Sequence, residues 1–130
     1  MLLVDDDDDV REMAALVLAD AGYEVLCAAD GAAGLRLLHE HGPASRIEYG
    51  PGIGLLIADY AMPGMNGLEL IRTARAVWPA LPILLVSGYS RIDVVRAMAG
   101  PAAAAFLRKP FRAPELLARV AGLAGQAHEE

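Results

Sequence analysis

The chain has 130 residues, the size of one ordinary domain, and 55% of them are hydrophobic, which suffices for a core between packed layers. A formal net charge of -6 at pH 7 argues against direct binding to nucleic acid or to an anionic membrane surface, since both need a basic face. The apolar runs fall short of the roughly 18 residues of a membrane span, and an acidic run replaces the basic start of a signal peptide, so we expect a soluble, cytoplasmic protein.

Short apolar runs alternate with segments of helical period five times along the chain, which is typical of a parallel sheet covered by helices on both faces. The predicted strands comprise residues 2–4, 23–28, 55–58, 83–86 and 103–107. The predicted helices comprise about residues 10–21, 32–41, 68–78, 92–99 and 114–123. Residues 102–105 are all alanine, so the last strand has a helical alternative.

Two further features are expected to be structural rather than functional. Cys27, the only cysteine, lies in the second predicted strand and is interpreted as a small buried apolar residue. The segment from Gly42 to Gly54 is rich in glycine and proline, so we expect an exposed, mobile loop there rather than a site.

Charged and polar residues follow the ends of four predicted strands. Asp5 and Asp6 end the first strand, Asp59 the third, Ser87 the fourth and Lys109 the fifth. In an open parallel sheet, ligand groups gather at the carboxyl ends of the strands, so we expect these side chains at one edge. Three carboxylates crowded together repel one another unless a cation neutralises them, and their oxygen atoms favour magnesium over zinc.

Asp59 is suited to act as a nucleophile, because a carboxylate at the end of a buried strand can attack phosphorus and form an acyl phosphate. Phosphoryl transfer depends on positioning and charge neutralisation more than on covalent chemistry. Magnesium, Lys109 and the Ser87 hydroxyl could each engage one phosphoryl oxygen. The sequence therefore predicts a site that accepts a phosphoryl group.

Four segments, in this order and spacing, resemble the receiver domains of bacterial two-component systems. They read LVDD (3–6), DYAMPGMNG (59–67), VSG (86–88) and FLRKPF (106–111). The resemblance runs from about Leu2 to Leu123 and implies an α/β class, flavodoxin-like, doubly wound (βα)5 fold with a parallel five-stranded sheet in the order 2-1-3-4-5. Because the chain stops soon after the last predicted helix, we expect a receiver domain at 1–124 and a short C-terminal tail at 125–130, with no output domain.

The resemblance implies roles for the acidic residues. Asp59 would be the phosphoacceptor, and Asp5, Asp6 and Asp59 would hold Mg2+ together with the backbone carbonyl of Ala61. Asp7 is expected to approach the ion, and the two aspartates after it to cap the first helix.

The resemblance also implies a switch. Ser87 and Lys109 would contact the phosphoryl group, the Lys109-Pro110 bond would be cis, and Phe106 would turn inward on phosphorylation. An ordinary core role for Phe106 stays open. The switched surface would comprise the helix near 92–99, the fifth strand and the last helix, and could also form a dimer.

The implied partners are a histidine kinase or histidine phosphotransfer protein, which supplies the phosphoryl group, and an unknown downstream protein. The chain would not be an enzyme beyond autocatalytic phosphotransfer and autodephosphorylation. Three alternatives stay open: the receiver of a hybrid histidine kinase, a constitutive binding module, and a hydrolase of the haloacid dehalogenase type. The hydrolase would need a second acidic residue where the chain has Ala61.

Overall fold

A computed structural model describes residues 1–42, 52–88 and 104–128, with side chains described as far as residue 124. Five strands are seen: β1 (Leu2–Val4), β2 (Leu26–Ala28), β3 (Leu56–Asp59), β4 (Ile83–Ser87) and β5 (Ala104–Arg108). The described helices are α1 (Asp8–Asp20), α2 (Gly31–His41), α3 (Gly67–Val77) and a C-terminal helix (Ala113–His128). The predicted helix near 92–99 and most of the predicted 42–54 loop lie outside the described residues.

All strand pairs are parallel, and the sheet order is β2-β1-β3-β4-β5, so the predicted α/β fold and strand order are confirmed. The register places Val4 beside Ala58 and Asp59 beside Val86. The residues that follow β1, β3 and β4 therefore emerge at one edge of the sheet. This edge includes the crevice between β1 and β3, where the strand order reverses and where sheets of this kind bind ligands.

The central strands are buried on both faces, which explains their continuous apolar runs. Leu2 and Val4 pack on the face covered by α2 and α3. Leu3 and Ile57 pack on the opposite face, against α1 and the C-terminal helix. Burying each large apolar side chain contributes about 1.5–3 kcal/mol, so β1 and β3 form a rigid base for the residues at their ends.

The start of α1 differs from the prediction. Asp7 is the residue that caps the helix, because its carboxylate accepts hydrogen bonds from the backbone N–H groups of Asp9 and Val10. Asp8 and Asp9 lie in the first turn instead, where the positive end of the helix dipole favours acidic side chains. The helix therefore starts two residues before the predicted Val10.

The prediction that Cys27 is buried is wrong, because the residue is exposed. Among the described residues, its strand, β2, pairs only with β1 and so lies at the edge of the sheet. The strand is also shorter than predicted, since it begins at Leu26 rather than at Tyr23.

The end of the chain is more helical than predicted. The C-terminal helix continues to His128, beyond the predicted end at Leu123. Residues 104 and 105 belong to β5 and not to a helix, because they pair with Ile83 and Leu84 of β4.

Within the described ranges, no helix combines the length and apolar character that crossing a membrane requires.

Gly67 begins α3 directly against the end of β3. A Cβ atom at this position would lie 2.4 Å from the carbonyl oxygen of Asp59 and 2.9 Å from the Cα of Tyr60. The Gly67 N–H group also donates a hydrogen bond to the Tyr60 carbonyl at 2.9 Å. The turn that follows Asp59 can be this tight only because residue 67 has no side chain.

We expect Gly67→Ala to lower the free energy of unfolding by about 2 kcal/mol or more, because the added methyl group meets backbone that cannot shift without distorting the turn. Denaturant unfolding measures this change. Gly122→Ala is the matched control: Gly122 lies exposed in the C-terminal helix, and a Cβ there would meet no atom of the described residues within 4 Å. The control should be neutral or up to about 1 kcal/mol stabilising; equal stability of the two variants would contradict the account.

Candidate functional site

Three carboxylates meet at the carboxyl edge of the sheet. Asp5 and Asp6 follow β1, Asp59 ends β3, and each offers an oxygen atom within 4.8 Å of the others. Asp5 and Asp59 are buried, with 3% and 5% of their surface exposed, whereas Asp6 is open to solvent. The structure thus brings together the three acidic residues that the sequence placed at one edge.

Lys109 lies between two of these carboxylates. Its Nζ atom is 3.0 Å from Oδ2 of Asp5 and 3.3 Å from Oδ1 of Asp59. The backbone N–H of Lys109 donates a hydrogen bond to the carbonyl of Ser87 at 2.8 Å, and the Lys109-Pro110 bond is cis, as expected. The only lysine of the chain is therefore held at the site by the strand beside it.

The carboxylate of Asp5 is fixed on several sides. Its Oδ1 atom accepts a hydrogen bond from the backbone N–H of Asp7 at 2.9 Å, and its backbone N–H donates to the Ala28 carbonyl at 3.2 Å. Arg11, which belongs to none of the predicted site residues, donates from its Nη1 atom to the Asp5 carbonyl at 2.7 Å. No sequence motif indicates that contact, because it depends on how α1 packs against the turn that follows β1.

The site carries more negative charge than Lys109 neutralises. Burial raises the pKa of Asp59 to about 6, and the charge of Asp5 adds to the rise while Lys109 opposes it. Burial lowers the pKa of Lys109, but its hydrogen bonds with and attraction to Asp5 and Asp59 outweigh this effect, so the pKa is raised overall. A set of three carboxylate oxygens facing one ammonium group fits a hard divalent cation such as Mg2+.

The remaining predicted residues take less central places. Ser87 ends β4 and is buried, with 2% of its surface exposed. Ala61 is exposed in the loop after β3, which is pinned at its start by the hydrogen bond from the Tyr60 N–H to the Val86 carbonyl. Phe106 is half-buried on β5, where it packs against the core on the α2 and α3 side.

Comparison with known proteins agrees with the fold. The profile of the family described as "Response regulator receiver domain" matches residues 1–121. The chain therefore belongs to the response regulator receiver domain family. It is a receiver of the response-regulator type, a signalling module of two-component systems rather than a conventional enzyme.

The relatives include a protein of similar length and much longer ones. The chain is 33% identical to the response regulator receiver protein CpdR of Brucella abortus over 117 residues, which cover 90% of this chain and 89% of CpdR. It is 32% identical over 120 residues to the DNA-binding response regulator MtrA of Mycobacterium tuberculosis, covering 92% of this chain and 48% of MtrA. Over the same length it is 32% identical to the sensor kinase CckA of Brucella abortus, of which it spans 12%.

Solved structures show the same architecture. The chemotaxis protein CheY4 of Vibrio cholerae is 29% identical with a TM-score of 0.81, and the match covers 94% of this chain and 95% of that one. A CheY-like receiver domain protein of Methanospirillum hungatei is 26% identical with a TM-score of 0.79, covering 97% and 93% of the two chains.

Proposed function

We propose that Asp59 accepts a phosphoryl group from a phosphohistidine of a histidine kinase or histidine phosphotransfer protein, and that Mg2+ assists the transfer. The observation that carries the proposal is the buried Asp59 carboxylate, which lies close to Asp5 and Asp6 and within 3.3 Å of the Lys109 ammonium. This arrangement combines a nucleophile with the charge neutralisation that phosphoryl transfer requires.

In the proposed transfer, an Asp59 carboxylate oxygen forms the new bond to phosphorus while the phosphorus–nitrogen bond of the donor histidine breaks. The imidazole leaves with that electron pair, as a neutral group because its other ring nitrogen carries a proton in the donor. The Lys109 ammonium and the Ser87 hydroxyl each hold one phosphoryl oxygen in place. Bound Mg2+, held by Asp5, Asp6, Asp59 and the Ala61 carbonyl, would supply further neutralisation of the phosphoryl charge. Later hydrolysis of the acyl phosphate would return Asp59 to its free form.

Incubation of the chain with acetyl phosphate, with and without Mg2+, tests the proposal. Intact mass should show one added phosphoryl group only when Mg2+ is present, and hydroxylamine should remove it because an acyl phosphate is labile to this reagent. A modification that forms equally well without Mg2+, or that resists hydroxylamine, would contradict the proposal.

The output is proposed to follow from movement around Ser87. The Ser87 hydroxyl would be drawn to the phosphoryl group and Phe106 would turn inward behind it, which shifts the population of two surface states on the side of β5 and the C-terminal helix. An unknown downstream protein, or a second copy of the chain, would bind the shifted surface. Support comes from the placement of Phe106, which stands half-buried beside Leu85 of the neighbouring strand.

An apolar groove beside Lys109 is proposed as the place where the donor protein docks. The groove has a volume of about 350 Å3 and is lined by Val10 and Met13 of α1 and by Lys109, Pro110 and Phe111. Because the donor histidine must come within bonding distance of Asp59, its protein has to cover the surface around the site.

Leu16 lies one turn beyond Met13 on α1, with 66% of its surface exposed. We expect Leu16→Glu to slow phosphotransfer from a phosphorylated histidine protein by about tenfold or more, because a charge would be buried at the contact. The donor is whichever of a panel of purified histidine kinases labels the wild-type chain fastest. Labelling by acetyl phosphate should not change. Val77→Glu on α3, 55% exposed in the wild type, is the matched control; equal effects of the two variants on phosphotransfer would remove the docking proposal.

A further inference from the structure

The guanidinium group of Arg11 stabilises the turn between β1 and α1. Arg11 donates from Nη1 to the Asp5 carbonyl at 2.7 Å and from Nη2 to the Asp8 carboxylate. The Arg11 side chain is 17% exposed, whereas that of Asp8 is 76% exposed. Arg11 therefore links the end of β1 to the first turn of α1 and spans the short segment that carries Asp6.

The other polar groups of Asp5 are already held by neighbours. Ala28 accepts from its backbone N–H, Asp7 donates to Oδ1, and Lys109 pairs with Oδ2. The Arg11 contact to the carbonyl completes this set. Asp6, which is exposed, lies between Asp5 and the helix-capping Asp7, so hydrogen bonds on both sides fix the path of the backbone at Asp6.

We propose that Arg11 is a positioning residue, which holds the turn in the form that lets Asp5 and Asp6 bind a divalent cation together. This inference rests on the proposed function. Without the Arg11 bridge, the turn would become ordered only when the cation binds. The entropy lost in ordering the turn would then weaken the affinity for the cation. Partners that orient metal ligands typically contribute about 10- to 100-fold to metal affinity.

Charge alone predicts the opposite result. Arg11 is a cation beside five consecutive aspartates, residues 5–9, so its removal should strengthen the attraction for a second cation. If Arg11 instead holds the turn in place, its removal should lower the affinity for Mg2+. Arg11→Lys separates the two effects most cleanly, because it keeps the charge and the aliphatic stem but cannot make the two-pronged contact.

The test measures Mg2+ binding by isothermal titration calorimetry for the wild type, Arg11→Lys, Arg11→Ala and the control Arg72→Ala. We expect both Arg11 variants to bind Mg2+ about tenfold more weakly. The control removes a charge from an exposed position on α3 and should bind as the wild type does. Circular dichroism confirms folding, and the conservative lysine variant keeps the test valid if the alanine variant unfolds.

A second measurement separates positioning from general damage to the fold. The Mg2+ concentration that half-saturates labelling by acetyl phosphate should rise about tenfold in Arg11→Lys, while the rate at saturating Mg2+ stays at the wild-type value. Wild-type or tighter Mg2+ binding by Arg11→Lys would overturn the role of Arg11 and leave the proposed function intact. Failure of the wild type itself to bind Mg2+ would overturn both.

Discussion

Asp59→Asn is expected to reduce labelling by acetyl phosphate and Mg2+ to background. The amide that replaces the carboxylate has no anionic oxygen to attack phosphorus, and the acyl phosphate cannot form on it. The side chain keeps nearly the same shape, so the fold should survive. Intact mass after a fixed time, compared with the wild type, measures the loss.

Asp20→Asn provides the matched control, because the same substitution is then made at an exposed residue at the far end of α1. This variant should be labelled at the wild-type rate. Undiminished labelling of Asp59→Asn would show that another residue accepts the phosphoryl group.

Lys109→Met is expected to slow labelling by acetyl phosphate by about 100-fold or more, the usual loss when one preorganised donor to a developing anion is removed. Mg2+ binding should be retained or strengthened, because the ammonium that lies 3.0 Å from Asp5 and 3.3 Å from Asp59 no longer competes for these carboxylates. The variant thus separates metal binding from phosphoryl transfer. Labelling stopped at a series of times measures the rate of phosphoryl transfer, and calorimetry measures the affinity for Mg2+.

Arg108→Met tests whether the effect is specific. Arg108 precedes Lys109 and carries the same charge, but its side chain is exposed at the end of β5. We expect labelling close to the wild-type rate. A Lys109→Met variant that is phosphorylated as fast as Arg108→Met would exclude the lysine from the transfer.

The sheet and the edge that carries the site could be predicted from local patterns. Apolar runs such as 83–86 require burial on both faces, and parallel strands bring their carboxyl ends together, so Asp5 and Asp59 had to lie near each other. The capping residues were harder to assign. Five consecutive aspartates offer several equivalent caps for α1, and only the path of the turn selects Asp7.

Other features depend on tertiary structure that a local pattern does not contain. The apolar neighbours of Cys27 in the sequence predict that it is buried, but the position of β2 at the sheet edge exposes it. No local pattern marks Arg11, because its contact with the Asp5 carbonyl arises only when α1 packs beside β1. The structure brings Asp5, Asp6, Asp59 and Lys109 together, but the roles of these residues and of Ser87, Phe106 and Ala61 stay predictions.

A crystal structure of the wild-type chain grown with Mg2+ and beryllofluoride tests the central claim most directly, since beryllofluoride occupies the place of a phosphoryl group. We predict that beryllium is bonded to an oxygen of the Asp59 carboxylate, that a fluorine of the group contacts Lys109, and that a magnesium ion lies on the oxygens of Asp5, Asp6 and Asp59. Beryllofluoride bound elsewhere, or a magnesium ion that does not touch Asp59, would contradict it.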